Sequence, residues 1–245
     1  MRTLNLMTDV GDKLCARMEV NQSHTPAGTY SHRPVAHKKV LQLVETALEK
    51  QGLSVVAEAH CLAKDDNRYF GLLQVVNGVP DGQDYGRVVG IRNSHDKAFA
   101  AGICAGAGVF VCSNLSFSGE IQFARKHTSR VIQSLPSIVD RAIEMLKAKW
   151  TRNDLRFRAY KDKFMTAGTA NDLVINFLDA GAICASRIPK VLAEYRQPRH
   201  EEFDTPTVWS LFNAVTQANK GSNPHTLPVR TMKLQTVCDA VSGVR

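Results

Sequence analysis

The pattern of apolar and polar positions changes its period along the chain, from helical to strand-like and back to helical. Residues 34–52, PVAHKKVLQLVETALEKQG, carry apolar side chains at every third or fourth position. This spacing predicts a helix, with Pro34 at its first position and Gly52 just after its end. Its apolar stripe consists of Val40, Leu43, Val44, Ala47 and Leu48. We therefore expect an amphipathic helix ahead of the strands.

Residues 53–127 contain strand-like runs that are separated by turn-forming residues. Two β-rich runs in LSVVAEAHCLAKDDNRYFGLLQVVNG flank KDDN, whose Asp and Asn residues favour a tight reversal. Further runs follow in RVVGIRNSHD and AAGICAGAGVFVCSN, and GEIQFARKHT alternates Ile121 and Phe123 with polar neighbours. These runs predict an antiparallel meander.

After the last strand the period returns to about 3.6, which predicts a long helix and a helical C-terminal third. The long helix lies in SRVIQSLPSIVDRAIEMLKAKW, where Pro136 predicts a kink or a new start with Ser134 as its cap. Further helical stretches are DLRFRAYKDKFM, ANDLVINFLDAGAICASRIPKVLAEYR, TPTVWSLFNAVTQAN and PVRTMKLQTVCDAVSG.

Strands in one block and helices in the next indicate the α+β class. We expect an antiparallel β-meander with the long basic helix packed across one face, the other face being open to water or to a ligand. The turn-rich stretch SHTPAGTYSHRP predicts an irregular N-terminal segment over residues 1–32. An α+β core would then span residues 33–165, and a helical region packed on that core would span residues 166–245.

Composition narrows the class of protein. The chain has 245 residues, of which 44% are hydrophobic and 22% charged, as in ordinary soluble proteins. No apolar run approaches the roughly 20 residues of a membrane span, and Asp9 and Asp12 interrupt the N-terminus, so we expect neither a membrane segment nor a signal peptide. Six scattered cysteines without a C-x-x-C pair predict buried reduced thiols. We expect a cytoplasmic protein without metal or cofactor.

The net charge of +8 is concentrated in one segment. Between Arg125 and Lys163, eleven Lys and Arg residues stand against four Asp and Glu residues. Aromatic residues interleave with these cations, a combination that single-strand binders use because cations contact phosphates and rings stack on bases. The predicted nucleic-acid-binding residues are Arg92, Arg125, Lys126, Arg130, Trp150, Arg152, Arg156, Arg158, Tyr160 and Lys161. An alternative stays open for the aromatics: Trp150, Phe157 and Phe164 recur every seven residues, as in a core stripe with a solvated charged side.

Two short motifs add candidate contacts. In RKHT, Arg125, Lys126 and His127 precede the long helix, and Thr128 would cap its start. The start of a helix favours a bound phosphate. The alternative is a capped helix with exposed charges beside it. RNSHD favours a turn held by side-chain hydrogen bonds, although a polar ligand contact or chemistry stays open. His95 and Asp96 would point to opposite faces of a strand, which argues against joint metal ligation. HEEFD at 200–204 favours helix caps over a metal site.

The motifs RNSHD, VFVCSNL, RKHT and TVWSLFNAVTQ together resemble the phage- and plasmid-borne family known as domain of unknown function 932, over about His24 to Asp239. This resemblance implies a bacterial cytoplasmic setting but no mechanism. The order of helix, meander and long helix also looks like that of phage single-strand annealing proteins of the Red-beta type. That likeness implies rings or other homo-oligomers that hold single-stranded DNA in a basic groove.

The sequence therefore predicts a non-catalytic, sequence-independent binder of single-stranded DNA or other nucleic acid that anneals or protects recombination intermediates. Two alternatives belong to other classes. One is a phage effector that binds and inhibits a host defence protein. The other is a metal-dependent enzyme acting on nucleotides through His95, Asp96 and nearby carboxylates.

Overall fold

A computed structural model describes residues 13–76, 85–109, 115–117, 123–128, 130–220, 222 and 226–244; the side chains of residues 13, 106–109, 115–117, 123–125 and 228 lie outside the described part. The described strands form one antiparallel sheet in the order β1-β2-β3-β4-β5, and both β6 and β7 pair with β5. The strands are β1 (Lys13–Cys15), β2 (Ser54–Ala63), β3 (Arg68–Val76), β4 (Tyr85–Ser94), β5 (Ala101–Val109), β6 (Leu115–Phe117) and β7 (Phe123–Arg125).

Helices precede, follow and cover this sheet, and the predicted α+β class with its helical C-terminal part is confirmed. The helices are α1 (Arg17–Gln22), α2 (His37–Lys50), α3 (Val131–Asp162), α4 (Ala167–Asp179), α5 (Ile188–Arg196), α6 (Val208–Ala218) and α7 (Leu227–Ser242), with 3₁₀ turns at Ala185–Arg187 and Glu201–Phe203. The helix expected over residues 34–52 begins three residues later than Pro34, and Gly52 follows it with φ +70°.

Helices α2 and α3 pack side by side on one face of the sheet. Lys50, at the end of α2, forms an ion pair with Asp140 of α3 (2.9 Å), and Lys147 of α3 donates to the carbonyl of Gln51 (2.9 Å). At the other end, the backbone N–H of Val35 donates to Nδ1 of His127 (3.3 Å). The two helices therefore run in the same direction, and both begin at the same end of the sheet.

The core beneath these helices is apolar and continuous. It combines the inward stripes of α2 and α3 with alternate residues of the strands, including Leu73, Val89 and Ile103. The predicted KDDN reversal between β2 and β3 is confirmed, with Asn67 N–H donating to the carbonyl of Lys64 (3.0 Å). A second core joins the C-terminal part of α3 to α4, α5, α6 and α7.

Three expectations about the elements were wrong. Residues 13–22 are not irregular: β1 pairs with β2, and Arg17 of α1 binds Glu45 and Glu58 (2.6 Å each). Pro136 does not interrupt α3, because it lies in the second turn, where a proline removes a single backbone hydrogen bond close to the helix start. The second face of the sheet is not open, since it buries a further apolar cluster: Cys61, Phe70, Leu72, Val88 and Cys104.

Candidate functional site

Four imidazole rings meet at the end of the sheet where α2 and α3 begin. His37 and His95 stack face to face at 4.0 Å between ring centroids, and His32 stacks on His127 at 5.6 Å. His95 and His127 lie 6.4 Å apart, which joins the two pairs. We call these four residues the histidine cluster and this part of the molecule the histidine end.

The side chain of Asn93 links the cluster to the backbone. Its buried amide nitrogen donates to Nδ1 of His37 and to the carbonyl of Val35 (2.8 Å each). Its oxygen accepts from Nε2 of His127 (2.8 Å). One amide therefore holds together the start of α2, the end of β4 and the segment that leads into α3.

The hydrogen bonds assign one tautomer to all four rings. Nε2 of His37 donates to the carbonyl of Asp66 (2.8 Å), and Nε2 of His95 donates to that of Val35 (2.9 Å). Nε2 of His32 donates to the carbonyl of His95 (3.0 Å). Because carbonyl oxygens only accept, each Nε2 carries the hydrogen, and the Nδ1 atoms of His37 and His127 accept from donors.

Burial keeps His37, His95 and His127 neutral. Together with the neighbouring His95, it lowers the pKa of His37 to about 3. It also lowers the pKa of His127 to about 4, with contributions from His32 and His95. Burial also lowers the pKa of His95. The Nδ1 atom of His95 is buried and has no hydrogen-bond partner among the described residues. At neutral pH the cluster therefore acts as a packed polar core.

Backbone strain concentrates at this end. The described non-glycine residues with positive φ are Lys64 (54°), Asp65 (53°), Asp66 (60°) and Lys97 (63°). They lie in two turns that adjoin each other, since the N–H of His95 donates to the carbonyl of Asn67 (2.8 Å). Such conformations cost about 1–3 kcal/mol each and persist where the surroundings impose them, which is common at functional sites.

Exposed cations lie on the segments that form or contact the cluster. Each lies on a segment that contacts the cluster: Arg33 N–H donates to the carbonyl of His127 (2.8 Å), and Lys97 follows His95 by two residues. We call these residues the cationic rim: Arg33, Lys38, Lys39, Lys64, Lys97, Lys126 and Arg130. The sequence prediction included Lys126 and Arg130 but missed the other five, which come from four separate segments.

Few acidic groups oppose the rim. The carboxylate of Asp96 accepts from Ser94, from the backbone of Ala98 and from Arg68 (2.7, 3.1 and 2.7 Å), so its charge is paired and RNSHD ends in the predicted side-chain-held turn. Asp65 and Asp66 are exposed in the neighbouring turn. Among the described residues of this end, seven exposed cations therefore stand against three exposed carboxylates, one of which is paired with Arg68.

The two helix starts add to the positive potential. Neither Ala36 of α2 nor Arg130 of α3 provides a side-chain cap, and the first turns of both helices contain no acidic residue. The expectation that Thr128 caps α3 was wrong, because only its backbone carbonyl accepts from Val131. Parallel helices present their partial positive charges to the same place, which favours an anion there.

The base-stacking role expected for Trp150 and Tyr160 is not compatible with their positions. Trp150 is 2% exposed and belongs to the core under α3, while Tyr160 is fully buried. The hydroxyl of Tyr160 donates to Asp239 of α7 (2.6 Å). Both rings face inward because the aromatic residues of α3 recur at helical spacing on its buried side, as the alternative interpretation held.

Arg156 is likewise removed from the candidate surface. Its guanidinium makes two bonds to the carboxylate of Asp239 (2.7 and 2.8 Å) and a third to Asn153 (2.8 Å). This buried ion pair joins α3 to α7. A cation that is neutralised and covered in this way cannot contact phosphate.

The remaining cations of α3 lie on different flanks of the helix. Arg152 lies one turn before Arg156, on the flank that faces α7. Arg158 lies one turn after Asp154, which accepts from the hydroxyl of Tyr85 on the opposite flank (2.7 Å). Lys161 lies over the rings of Tyr85 and Trp209 (6.0 and 5.4 Å) on that opposite flank. The predicted phosphate contacts Arg152, Arg158 and Lys161 therefore do not share one side of α3.

The predicted contacts Arg92 and Arg125 lie on strands rather than on α3. Arg92 belongs to the second face of the sheet, where it lies over Phe99 (5.4 Å) and burial lowers its pKa, whereas Asn93 and His95 belong to the helix-covered face. Arg92 therefore does not join the rim. Arg125 pairs through its backbone with Ala101, and its side chain lies outside the described part.

The described residues show no metal-binding arrangement. No group of three or more His, Cys, Asp or Glu side chains converges on a common point within the described ranges. His95 faces the buried cluster whereas Asp96 faces Arg68, so these two side chains do not point toward a common metal ion. Glu201 and Glu202 are exposed in a 3₁₀ turn.

A family model described as Domain of unknown function (DUF932) matches residues 28–237, which includes the whole cluster and every residue of the rim. Neither the curated proteins nor the solved structures contain a match. Among the described residues, no helix is both long and apolar enough to cross a bilayer.

Proposed function

We propose that this chain, which belongs to the family of domains of unknown function DUF932, binds nucleic acid without sequence preference. The proposed ligand is single-stranded DNA, and the proposed binding surface is the histidine end. The cationic rim carries this proposal. Its seven exposed Lys and Arg side chains surround two uncapped helix starts. Such donors bind phosphates, which are common to every nucleotide sequence.

The geometry supports a polymer better than a compact anion. The rim consists of side chains on four turns and two helix starts, arranged around a cluster that is itself filled and hydrogen-bonded. A small phosphate would need a few donors converging on one point, whereas a chain of phosphates can contact separated cations in succession. Affinity would then come from many weak, salt-sensitive contacts.

The role follows from binding without sequence preference. A protein that holds unpaired strands in the host cytoplasm would protect or anneal recombination intermediates. One histidine end covers only a short length of strand, so several copies along a strand would be needed, and a homo-oligomer is part of the proposal. None of the described cysteines forms a disulfide, in keeping with a reducing compartment.

The test compares charge removal at the rim with equal charge removal on α3. One variant combines Arg33→Gln, Lys126→Gln and Arg130→Gln; its control combines Arg141→Gln, Arg152→Gln and Arg158→Gln, which are exposed on α3. Fluorescence anisotropy with a labelled oligonucleotide at several salt concentrations gives the affinity and its salt dependence. We expect the rim variant to lose affinity and its log–log salt slope to fall by about 2, while the control stays close to wild type.

Two results would overturn the proposal. The proposed function would be contradicted if wild-type protein bound no oligonucleotide, or bound it with an affinity that does not depend on salt. Tight binding of a host protein would then favour the effector alternative. A control variant that loses as much affinity as the rim variant would show that overall charge, rather than this surface, attracts the polymer.

A further inference from the structure

The loop before α2 displays an aromatic ring to solvent. Tyr30 is 97% exposed, the largest exposed fraction among the large hydrophobic side chains of the described residues. It lies in a tight turn in which Thr29 N–H donates to the carbonyl of His32 (2.7 Å), and His32 N–H donates to the hydroxyl of Thr29 (3.2 Å). An aromatic ring gains by burial, so a ring displayed in this way is available to a partner.

The turn that displays Tyr30 is fixed to the histidine end. The ring of His32 bonds to the carbonyl of His95 and stacks on His127, and the next residue, Arg33, bonds to the carbonyl of His127. Gly28 allows the close packing, because a Cβ atom there would lie 2.9 Å from Cδ of Arg33. The backbone of Tyr30 is therefore held in place while its ring remains uncovered.

This arrangement provides the group that the cationic rim lacks. Phosphate contacts alone do not distinguish a single strand from a duplex, because both expose their backbones. Unpaired bases have free aromatic faces that stack on protein rings, whereas the bases of a duplex already stack on one another. Tyr30 lies three residues from Arg33, whose backbone bonds to His127, so the ring is attached to the same segment as a rim cation.

We propose that Tyr30 stacks on an unpaired base of the strand whose phosphates the rim contacts, and that this contact makes the site prefer single strands to duplexes. The inference rests on the proposed function. It assigns the stacking role to an exposed residue of the N-terminal loop in place of the buried Trp150 and Tyr160.

The experiment separates stacking from phosphate binding. Wild-type protein and Tyr30→Ala are titrated with three labelled ligands of equal phosphate number: a single strand with bases, an abasic strand and a duplex. Base–aromatic stacking predicts that wild type binds the single strand about 5- to 150-fold more tightly than the abasic strand. Tyr30→Ala should bind the single strand as weakly as the abasic strand. Tyr30→Phe and Tyr30→Trp should still prefer the strand with bases.

Two controls test whether the preference for the strand with bases depends on the Tyr30 ring. Phe164→Ala removes another exposed aromatic side chain, 67% exposed and remote in sequence from the rim, and should leave the preference unchanged. Because Tyr30 makes no buried contact, circular dichroism and thermal unfolding of Tyr30→Ala should match wild type.

The outcomes distinguish this inference from the proposed function. Equal affinity of wild type for the strand with bases and the abasic strand would overturn the stacking role and leave phosphate binding intact. A preference that survives in Tyr30→Ala would also overturn it. Failure of all three ligands to bind would remove the proposed function, and a protein partner whose binding Tyr30→Ala abolishes would then identify the ring as a protein contact.

Discussion

At the scale of single residues, His37 and His127 are held neutral by burial, and the directions of their hydrogen bonds are those of neutral rings. Nδ1 of His37 and of His127 accepts from N–H donors, so a proton added to either atom would face another hydrogen. The parallel stacking of His37 on His95 adds repulsion between any two charged rings. The cluster therefore stabilises the fold only while its rings remain unprotonated.

This arrangement predicts a loss of stability in mild acid. In the unfolded chain an imidazole takes up a proton near pH 6.5, whereas the folded pKa is about 3 for His37 and about 4 for His127. Below pH 6.5 the unfolded state binds more protons than the native state, so the free energy of unfolding falls. The decrease reaches about 1.4 kcal/mol per pH unit for each of the two residues.

Urea unfolding at pH 7.5, 6 and 5 measures this decrease. The variant His200→Gln removes an imidazole outside the cluster and should keep the pH dependence of wild type. A free energy of unfolding that is constant from pH 7.5 to 5 would show that the cluster titrates normally in the folded protein.

At the same scale, sequence reasoning found some candidate residues and missed others for a physical reason. RNSHD and RKHT drew attention because several polar groups lie close together in the chain. His32 and His37 have no such local signal, and their positions depend on bonds to His95 and Asn93, which lie 63 and 56 residues away. Tyr30 was missed because a single aromatic residue in a turn-rich stretch has no periodicity that would reveal its exposure.

At the scale of elements, α3 shows why a local excess of charge does not define a surface. Its 32 residues span about 48 Å, and their side chains point in all directions around the axis. Periodicity predicted the helix, but it left the buried aromatic stripe as an alternative to base stacking, because 3.6-residue spacing does not show which face is covered. The sequence could not show that α7 neutralises Arg156, since that contact joins residues 83 positions apart.

The contact between α3 and α7 predicts a large loss of stability on removal of Asp239. Asp239→Ala leaves the buried guanidinium of Arg156 without its carboxylate and removes one of the two acceptors of the Tyr160 hydroxyl. We expect the free energy of unfolding to fall by about 3–5 kcal/mol, as for other broken buried ion pairs.

The matched control is the exposed ion pair between Lys50 and Asp140, which joins α2 to α3. Asp140→Ala should cost about 1 kcal/mol or less, because water solvates both partners. Chemical denaturation of both variants gives the comparison, and similar losses from the two substitutions would show that the α3–α7 pair is not buried in solution.

At the scale of the whole molecule, the sheet topology assembles the candidate site. Its residues come from the loop before α2, from the β2–β3 and β4–β5 turns, and from the segment between β7 and α3. An antiparallel meander returns alternate turns to the same end, and two parallel helices begin there. The meander and the helices were predictable from periodicity, but the meeting of these loops depends on register and helix direction, which no local pattern encodes.

A single ligand at this end should therefore protect residues that are far apart in sequence. We expect a saturating single-stranded oligonucleotide to reduce the acetylation of Lys38, Lys64, Lys97 and Lys126 together, because phosphates would occupy the whole rim. Lys190 of α5 and Lys233 of α7 are exposed elsewhere and should keep their reactivity. Mass spectrometry of peptides from labelled protein, with and without the oligonucleotide, measures each lysine separately. Protection centred on Lys147 of α3 and on Lys163 just after it, with the rim unprotected, would place the interface on the long helix and contradict an interface at the histidine end.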